Sequence, residues 1–270
     1  MGVEQNLSFL KQAKRKLVSS VVPIVVRQEI NHVNPDGLNQ ANQLVKQGYG
    51  LIVAFTHFSQ RDAFDIMSFI IKQPTLGKRP IVSPIARHQY DYHPSAKVIS
   101  KFVDIELHPI ITEDTKRYEK IKDRYKDRLL NEGLIDYIKA GAKALGKGAI
   151  VPIALQAGRR ATLYEEEPTF ALSSIMKAAS IYKIYRYGVL FVGLELPGVE
   201  NYKDVDGYNL FRKFRLNVGS LYTALEILNQ MGKKGHEIDI WAYEKQLEPL
   251  VSKSYRVRKT PTPIPSSPGV

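Results

Sequence analysis

Short apolar runs alternate with stretches of helical periodicity along most of this chain, and that alternation most constrains its fold. Strands are predicted in residues 51–55, 80–86, 102–111, 149–155, 189–196 and 214–218, with helices in 38–45, 63–70, 134–145 and 170–181. Strands that are joined by helices usually pair in parallel inside one sheet. The pattern therefore predicts an α/β fold, a single layered domain with a central mixed, mostly parallel sheet flanked by helices.

The length of 270 residues and a hydrophobic fraction of 44% are enough for one large domain with a sizeable core. Composition divides the chain into a basic amphipathic N-terminal segment at 1–33, a main domain at 34–257, and a tail at 258–270. The tail is rich in Pro and Ser, so we expect it to be disordered. The absence of cysteine excludes disulfides, thiolate metal sites and cysteine nucleophiles, and agrees with a cytoplasmic location.

The net charge of +12 indicates a polyanionic partner, which would be an anionic membrane surface or a nucleic acid. Apolar and basic residues interleave over residues 7–18, a pattern typical of a helix at a membrane interface. A first helix that packs on the core with a solvated basic face is an equally good interpretation. The apolar run at 21–26 is short and contains Pro23, so we expect no transmembrane helix. No nucleic-acid-binding module is recognisable, so we expect no nucleic acid partner.

Residues 112–145 are the most charged part of the chain. Tyr118, Ile121, Tyr125 and Leu129 form one narrow apolar seam through it, which predicts a long surface helix. Charge runs of this kind are usually solvated. The alternative is that this basic, tyrosine-bearing helix contacts lipid headgroups or an acidic carrier protein.

A histidine and an aspartate five positions apart, His57 and Asp62, lie where an apolar strand gives way to an amphipathic stretch. Five residues of an ideal helix span about 500°, which leaves two side chains roughly 140° apart. The pair can meet only if His57 precedes the helix and Asp62 lies in its first turn, and Ser59 is a plausible N-cap for that arrangement. Asp62 would then orient His57 as a general base. Alternatively, Asp62 only complements the helix N-terminus and His57 is a loop residue.

The segment Thr56-His-Phe-Ser-Gln-Arg-Asp62 resembles the first motif of the glycerolipid acyltransferase family, which usually reads Asn-His-x-Ser-x-x-Asp. Thr56 replaces the usual Asn. The closing Tyr255-Arg256 is also similar to the family, and the likeness in order and spacing spans roughly residues 38–257.

A second stretch, Val151-Pro-Ile-Ala-Leu-Gln-Ala-Gly-Arg-Arg160, stands where the family's third motif closes a buried strand. Gly158 and Arg160 match that motif, whereas Ala157 replaces its glutamate. Arg159 and Arg160 suit the capture of a phosphate, or alternatively salt bridges to the glutamates at 165–167.

The resemblance implies an acyltransferase domain at 34–257 that moves a fatty acyl group from acyl-CoA or acyl carrier protein to a hydroxyl of a lysophospholipid-like acceptor, of the 1-acylglycerol-3-phosphate type. It implies His57 and Asp62 as catalytic residues. The implied substrate-binding residues are Arg87, Gly158, Arg159 and Arg160.

No metal or other cofactor is expected from the resemblance, and the thioester acts as co-substrate. The implied location is peripheral, on the cytoplasmic face of a membrane. A catalytically weak lipid-binding protein on the same scaffold is the alternative.

Other motifs are poorer guides to function. Gly141-Ala-Lys-Ala-Leu-Gly-Lys-Gly148 approaches a phosphate-binding loop, but it runs from a predicted helix into a strand, the reverse of the required order. His88, Asp91 and His93 lack the ligand spacing of a known metal site. A serine hydrolase would need a Gly-x-Ser-x-Gly elbow, which the sequence does not contain.

Overall fold

The computed structural model describes residues 28–57, 62–92, 100, 104–112, 115–116, 122–155, 170–197, 213–231 and 235–252. Most of the predicted N-terminal segment, up to residue 27, and the whole predicted tail at 258–270 lie outside the described residues. None of the helices within these ranges has the length and apolar character that crossing a bilayer requires.

Seven strands form one mixed sheet, which confirms the predicted α/β class. The strands are β1 Gln28–His32, β2 Gly50–Phe55, β3 Ile81–Ala86, β4 Ile105–Ile110, β5 Ile150–Ala154, β6 Tyr187–Glu195 and β7 Phe214–Thr223. Their order is β1-β7-β6-β2-β5-β3-β4, and only the β6–β7 pair is antiparallel. Five neighbouring strands, β6, β2, β5, β3 and β4, therefore end on the same side of the sheet, which we call the carboxyl edge.

In the ranges given above, eight α-helices accompany the sheet. They are α1 Pro35–Lys46, α2 Asp62–Lys72, α3 Arg87–Tyr92, α4 Lys122–Tyr125, α5 Leu134–Leu145, α6 Ala171–Ile181, α7 Ala224–Met231 and α8 Gly235–Trp241. Short 3₁₀ turns at Leu76–Lys78 and Glu248–Leu250 and a π-helix at Ala242–Leu247 complete the described elements.

The helices cover both faces of the sheet. Gly188 of β6 lies beneath Leu44 of α1, whereas Val151 of β5 contacts Gly141 of α5. Gly188 is in register with Leu51, which is in register with Ile150, the residue before Val151. Successive strand residues point to opposite faces, so α1 and α5 lie on opposite sides of the sheet. The central strand β2 is buried along its whole length between them.

The structure differs from the sequence-based expectations in two places. Strand β1 begins at Gln28 and pairs in parallel with β7, so the sheet starts inside the predicted N-terminal segment. The long surface helix predicted in the charged stretch at 112–145 is wrong, because α4 ends at Tyr125 and a stretch of turns follows it. The helix predicted separately at 134–145 is α5. Left-handed backbone at Asn131 (φ 63°) and Gly133 (φ 91°) interrupts the helical path there. Residues 113–114 and 117–121 of this stretch lie outside the described ranges.

The end of α5 packs closely against Gly50 at the start of β2. A methyl group on Gly50 would lie 2.5 Å from the carbonyl oxygen and 2.7 Å from the Cα of Leu145. Because these are backbone atoms, relief requires a shift of the whole helix end. We expect Gly50→Ala to lower the free energy of unfolding by about 1–3 kcal/mol. Urea titration followed by the fluorescence of the single tryptophan, Trp241, measures this.

The matched control is Gly141→Ala, inside α5. The atoms nearest to its new methyl group would be side-chain carbons, two of Val151 at 3.3 and 3.9 Å and one of Ile175 at 4.0 Å. Alanine is also favoured over glycine in a helix by about 1 kcal/mol. We expect a change of less than about 1 kcal/mol, and equal losses in the two variants would contradict the described packing.

Candidate active site

His57 and Asp62 lie side by side at the carboxyl edge, immediately beyond the central strand. Strand β2 ends at Phe55 and helix α2 begins at Asp62, which is the arrangement that the spacing of the pair requires. His57 Nδ1 is 3.3 Å from Asp62 Oδ2. The Asp62 side chain is 1% exposed and that of His57 is 24% exposed. The predicted N-cap, Ser59, is in residues 58–61, which lie outside the described residues.

This geometry sets the chemistry that the imidazole can perform. An ionised carboxylate only accepts hydrogen bonds, so its contact with His57 requires the proton on Nδ1. In a neutral ring Nε2 then carries the basic lone pair. A buried carboxylate also stabilises the imidazolium that forms when Nε2 takes a proton. The pair therefore has the geometry of a general base with its orienting carboxylate.

Thr56 fixes the end of β2 to the neighbouring strand β6. Its side chain is fully buried, and its hydroxyl oxygen accepts a hydrogen bond of 2.8 Å from the backbone N–H of Leu194. The Thr56 N–H donates to the carbonyl of Val192 at 3.4 Å. Both partners belong to β6, so Thr56 ties the residue before His57 to the neighbouring strand.

Arg87, a predicted anion contact, opens α3 directly after β3. Its Nε donates to Asp91 Oδ2 at 3.2 Å, and the hydroxyl of the buried Tyr125 donates to the same oxygen. Burial raises the pKa of Asp91, but the hydrogen bonds from Tyr125 and Arg87 outweigh it and hold that pKa below its usual value. The charge of Arg87 is therefore largely balanced by Asp91.

The strand order places these residues along one edge. Strand β5 lies between β2 and β3, so Arg87 is two strands, or roughly 10 Å, from the His57 position along the sheet. Gly158, Arg159 and Arg160 follow β5 in the sequence, but they lie outside the described residues. The last described residue before them, Leu155, donates its N–H to the carbonyl of Phe55 at 3.2 Å. The chain thus leaves β5 beside the end of β2.

His88, one of the two histidines considered as metal ligands, has a hydroxyl partner instead. His88 is buried, with Nδ1 3.1 Å from the hydroxyl of Thr115, while His93 lies outside the described residues. Within the described part of the chain, no group of three or more His, Asp or Glu side chains is placed to hold a metal ion. A second histidine–carboxylate pair, His108 with Glu106, lies on β4 and its carboxylate is 65% exposed.

The connection between Asp91 and Tyr125 was not predicted from sequence. The spacing of four between Arg87 and Asp91 is a recognisable helical ion-pair signal. Tyr125, however, lies 34 residues further on. Its place in the apolar seam gives no sign that its hydroxyl reaches α3.

No model of a known protein family matches this chain, and a comparison with curated proteins gives no matching sequence. The resemblance to acyltransferases therefore rests on the short motifs alone.

The depressed pKa of Asp91 predicts an acid-sensitive contribution to stability. A carboxyl group whose pKa is lower in the folded state stabilises the fold above its unfolded pKa, near 3.9, and loses that contribution as the pH falls through its folded pKa. At pH 7 we expect Asp91→Asn to lower the free energy of unfolding by about 1–3 kcal/mol. Urea titrations of both proteins should show the difference shrinking below about pH 4. A difference that stayed constant down to pH 2 would contradict the described ion pair.

Proposed function

We propose that this protein is an O-acyltransferase that moves a fatty acyl group from a thioester, acyl-CoA or acyl carrier protein, to a hydroxyl of a lysophospholipid-like acceptor. The observation that carries the proposal is the 3.3 Å contact between a partly exposed His57 and a buried Asp62 at the end of the central strand. The motif resemblance supplies the reaction class. The proposed place of action is the cytoplasmic face of a membrane, to which the protein binds peripherally.

The proposed reaction uses His57 as a base and then as an acid. Nε2 takes the proton of the acceptor hydroxyl while the hydroxyl oxygen attacks the thioester carbonyl carbon. When the tetrahedral intermediate collapses, the C–S bond breaks and the leaving thiolate receives the proton from the imidazolium. Asp62 holds the Nδ1 proton throughout and stabilises the charged ring. The products are one ester and one free thiol.

The proposal assigns the acceptor phosphate chiefly to Arg160, assisted by Arg159 and by the backbone at Gly158. Arg87 is the weaker candidate, since Asp91 and Tyr125 already engage this part of α3. The acceptor class is of the 1-acylglycerol-3-phosphate type. Ala157, in place of the family's glutamate, leaves other lipid alcohols open as acceptors.

Substitution of His57 tests the base directly. We expect His57→Ala to reduce thioester-dependent acylation by about 10²–10⁴-fold, the usual contribution of a general base, while the unfolding midpoint changes little. The rate is measured as thiol release from acyl-CoA in the presence of a lysophospholipid. The same measurement on Asp62→Asn should also show a large loss, because the ring is no longer held in the productive tautomer.

His108 provides a matched control. Its side chain is 19% exposed, similar to His57, and its Nε2 lies 2.8 Å from a carboxylate oxygen of Glu106. The role proposed for His57 requires that His108→Ala retain near wild-type turnover. Equal losses in the two variants, or full activity of His57→Ala, would remove the proposed mechanism.

A lipid-binding protein with little catalysis on the same scaffold is the second candidate. The pairing of Arg87 with Asp91 and the alanine at position 157 favour it, since both leave fewer charged groups available to a substrate near the proposed site. Vesicle binding without His57-dependent thiol release would support this candidate over the enzyme.

A further inference from the structure

We propose that the outer surface of α5 and α6 is the surface through which this protein binds an anionic lipid bilayer. We call it the α5–α6 face and define it by Ile135, Lys139 and Lys143 of α5, Lys177 and Ile181 of α6, and Tyr182 after α6. The proposed function explains why this face would be useful, but vesicle binding can be tested without any assay of activity.

Exposed apolar side chains are concentrated on this part of the protein. Ile135 is 67% exposed and Ile181 is 70% exposed. In the described part of the chain, four of the ten exposed large hydrophobic residues lie on α5, on α6 or at the two ends of α6. An apolar surface of this kind on a soluble scaffold commonly marks a contact with a membrane or another protein.

The same face carries positive charge with little compensation from its own segments. Lys139, Lys143 and Lys177 are exposed, and so are the nearby Lys183 and Arg186. The sequence contains no Asp or Glu in residues 137–155 or 170–194, although Asp136 is exposed in the first turn of α5. A surface with basic residues around apolar ones complements anionic headgroups that lie above an acyl-chain layer.

The two helices form one continuous surface. Gly141 of α5 packs near Ile175 of α6, and Gly146 lies against Ile184 in the turn that follows α6. The ammonium of Lys143 lies 5.3 Å from the centre of the Tyr182 ring. Ile135, Lys139 and Lys143 are four residues apart in sequence, so they line one stripe of α5. The apolar and basic groups can therefore meet the same plane.

The α5–α6 face runs lengthwise from one edge of the sheet to the other. Helix α5 leads from the end of β4 to the start of β5, and α6 leads from the end of β5 to the start of β6. Both helices therefore begin at the carboxyl edge, where β2 presents His57. Ile135 therefore lies toward the carboxyl edge, whereas Lys143, Ile181 and Tyr182 lie toward the opposite edge. Binding through this face would place the layer formed by the two helices against the bilayer.

Vesicle flotation with the full chain tests the proposal. The vesicles contain phosphatidylcholine alone or a mixture of phosphatidylcholine and phosphatidylglycerol. We expect binding to the mixed vesicles only. The double variant Lys139→Glu with Lys177→Glu should weaken that binding at least about 30-fold, because each lysine near an anionic surface contributes about fivefold.

The control is Lys46→Glu with Lys78→Glu, which makes the same charge change outside the α5–α6 face, at the end of α1 and in the turn after α2. This control should keep near wild-type binding. Equal weakening in both double variants would overturn the proposal, since it would show that binding depends only on net charge. Undiminished binding of Lys139→Glu with Lys177→Glu would also overturn it.

The variant Ile181→Ser tests what apolar insertion contributes to vesicle binding, separately from charge. The residue is exposed, so the variant should keep its unfolding midpoint but bind mixed vesicles more weakly at both low and high salt. Full retention of binding would show that Ile181 does not insert into the bilayer, and would overturn the apolar part of the proposed face.

Failure of this inference can be told apart from failure of the proposed function. If Lys139→Glu with Lys177→Glu binds vesicles normally while thiol release still depends on His57, only the inference is wrong. If that variant loses vesicle binding and the wild-type protein shows no His57-dependent thiol release, only the proposed activity is wrong.

Discussion

The burial of β2 between two parallel neighbours is the constraint on which the site depends. All six of its residues are buried, and β5 and β6 pair along both of its sides. Thr56 extends this fixation by one residue, through its hydroxyl and its N–H to β6. His57 is therefore the first partly exposed residue after a rigid strand. A side chain in that position can be held against Asp62 without depending on a long loop.

Charge is distributed differently at the carboxyl edge and on the α5–α6 face. At the carboxyl edge, Asp62 faces His57 and Asp91 faces Arg87, so the proposed base and the predicted anion contact each have a carboxylate partner. On the α5–α6 face, the segments that carry the lysines contain no carboxylate after Asp136. The arrangement suits the proton transfer proposed for His57 and the anionic bilayer proposed as the partner of the α5–α6 face. It also locates part of the net charge of +12 on a specific face.

Most of the sheet could be predicted from sequence because the buried strands are continuous apolar runs. Helix α5 has the predicted bounds, Leu134–Leu145. The contact between His57 and Asp62 also followed from helical geometry, although its chemical role remains a prediction. Strand β1 was missed, because Ile30 is its only apolar residue and it lies at the edge of the sheet.

The break before α5 was missed for a different reason. Its left-handed residue Asn131 is held by a long-range hydrogen bond, in which its N–H donates to the carbonyl of Ile111 at 2.8 Å.

The most direct test of the central claim is the stoichiometry of the reaction. Wild-type protein is incubated with an acyl thioester and a lysophospholipid, and the thiol and the lipid ester are measured together, the ester by mass spectrometry. Acyl transfer through His57 predicts equal amounts of thiol and ester, whereas thiol release without ester, or neither product, would contradict it.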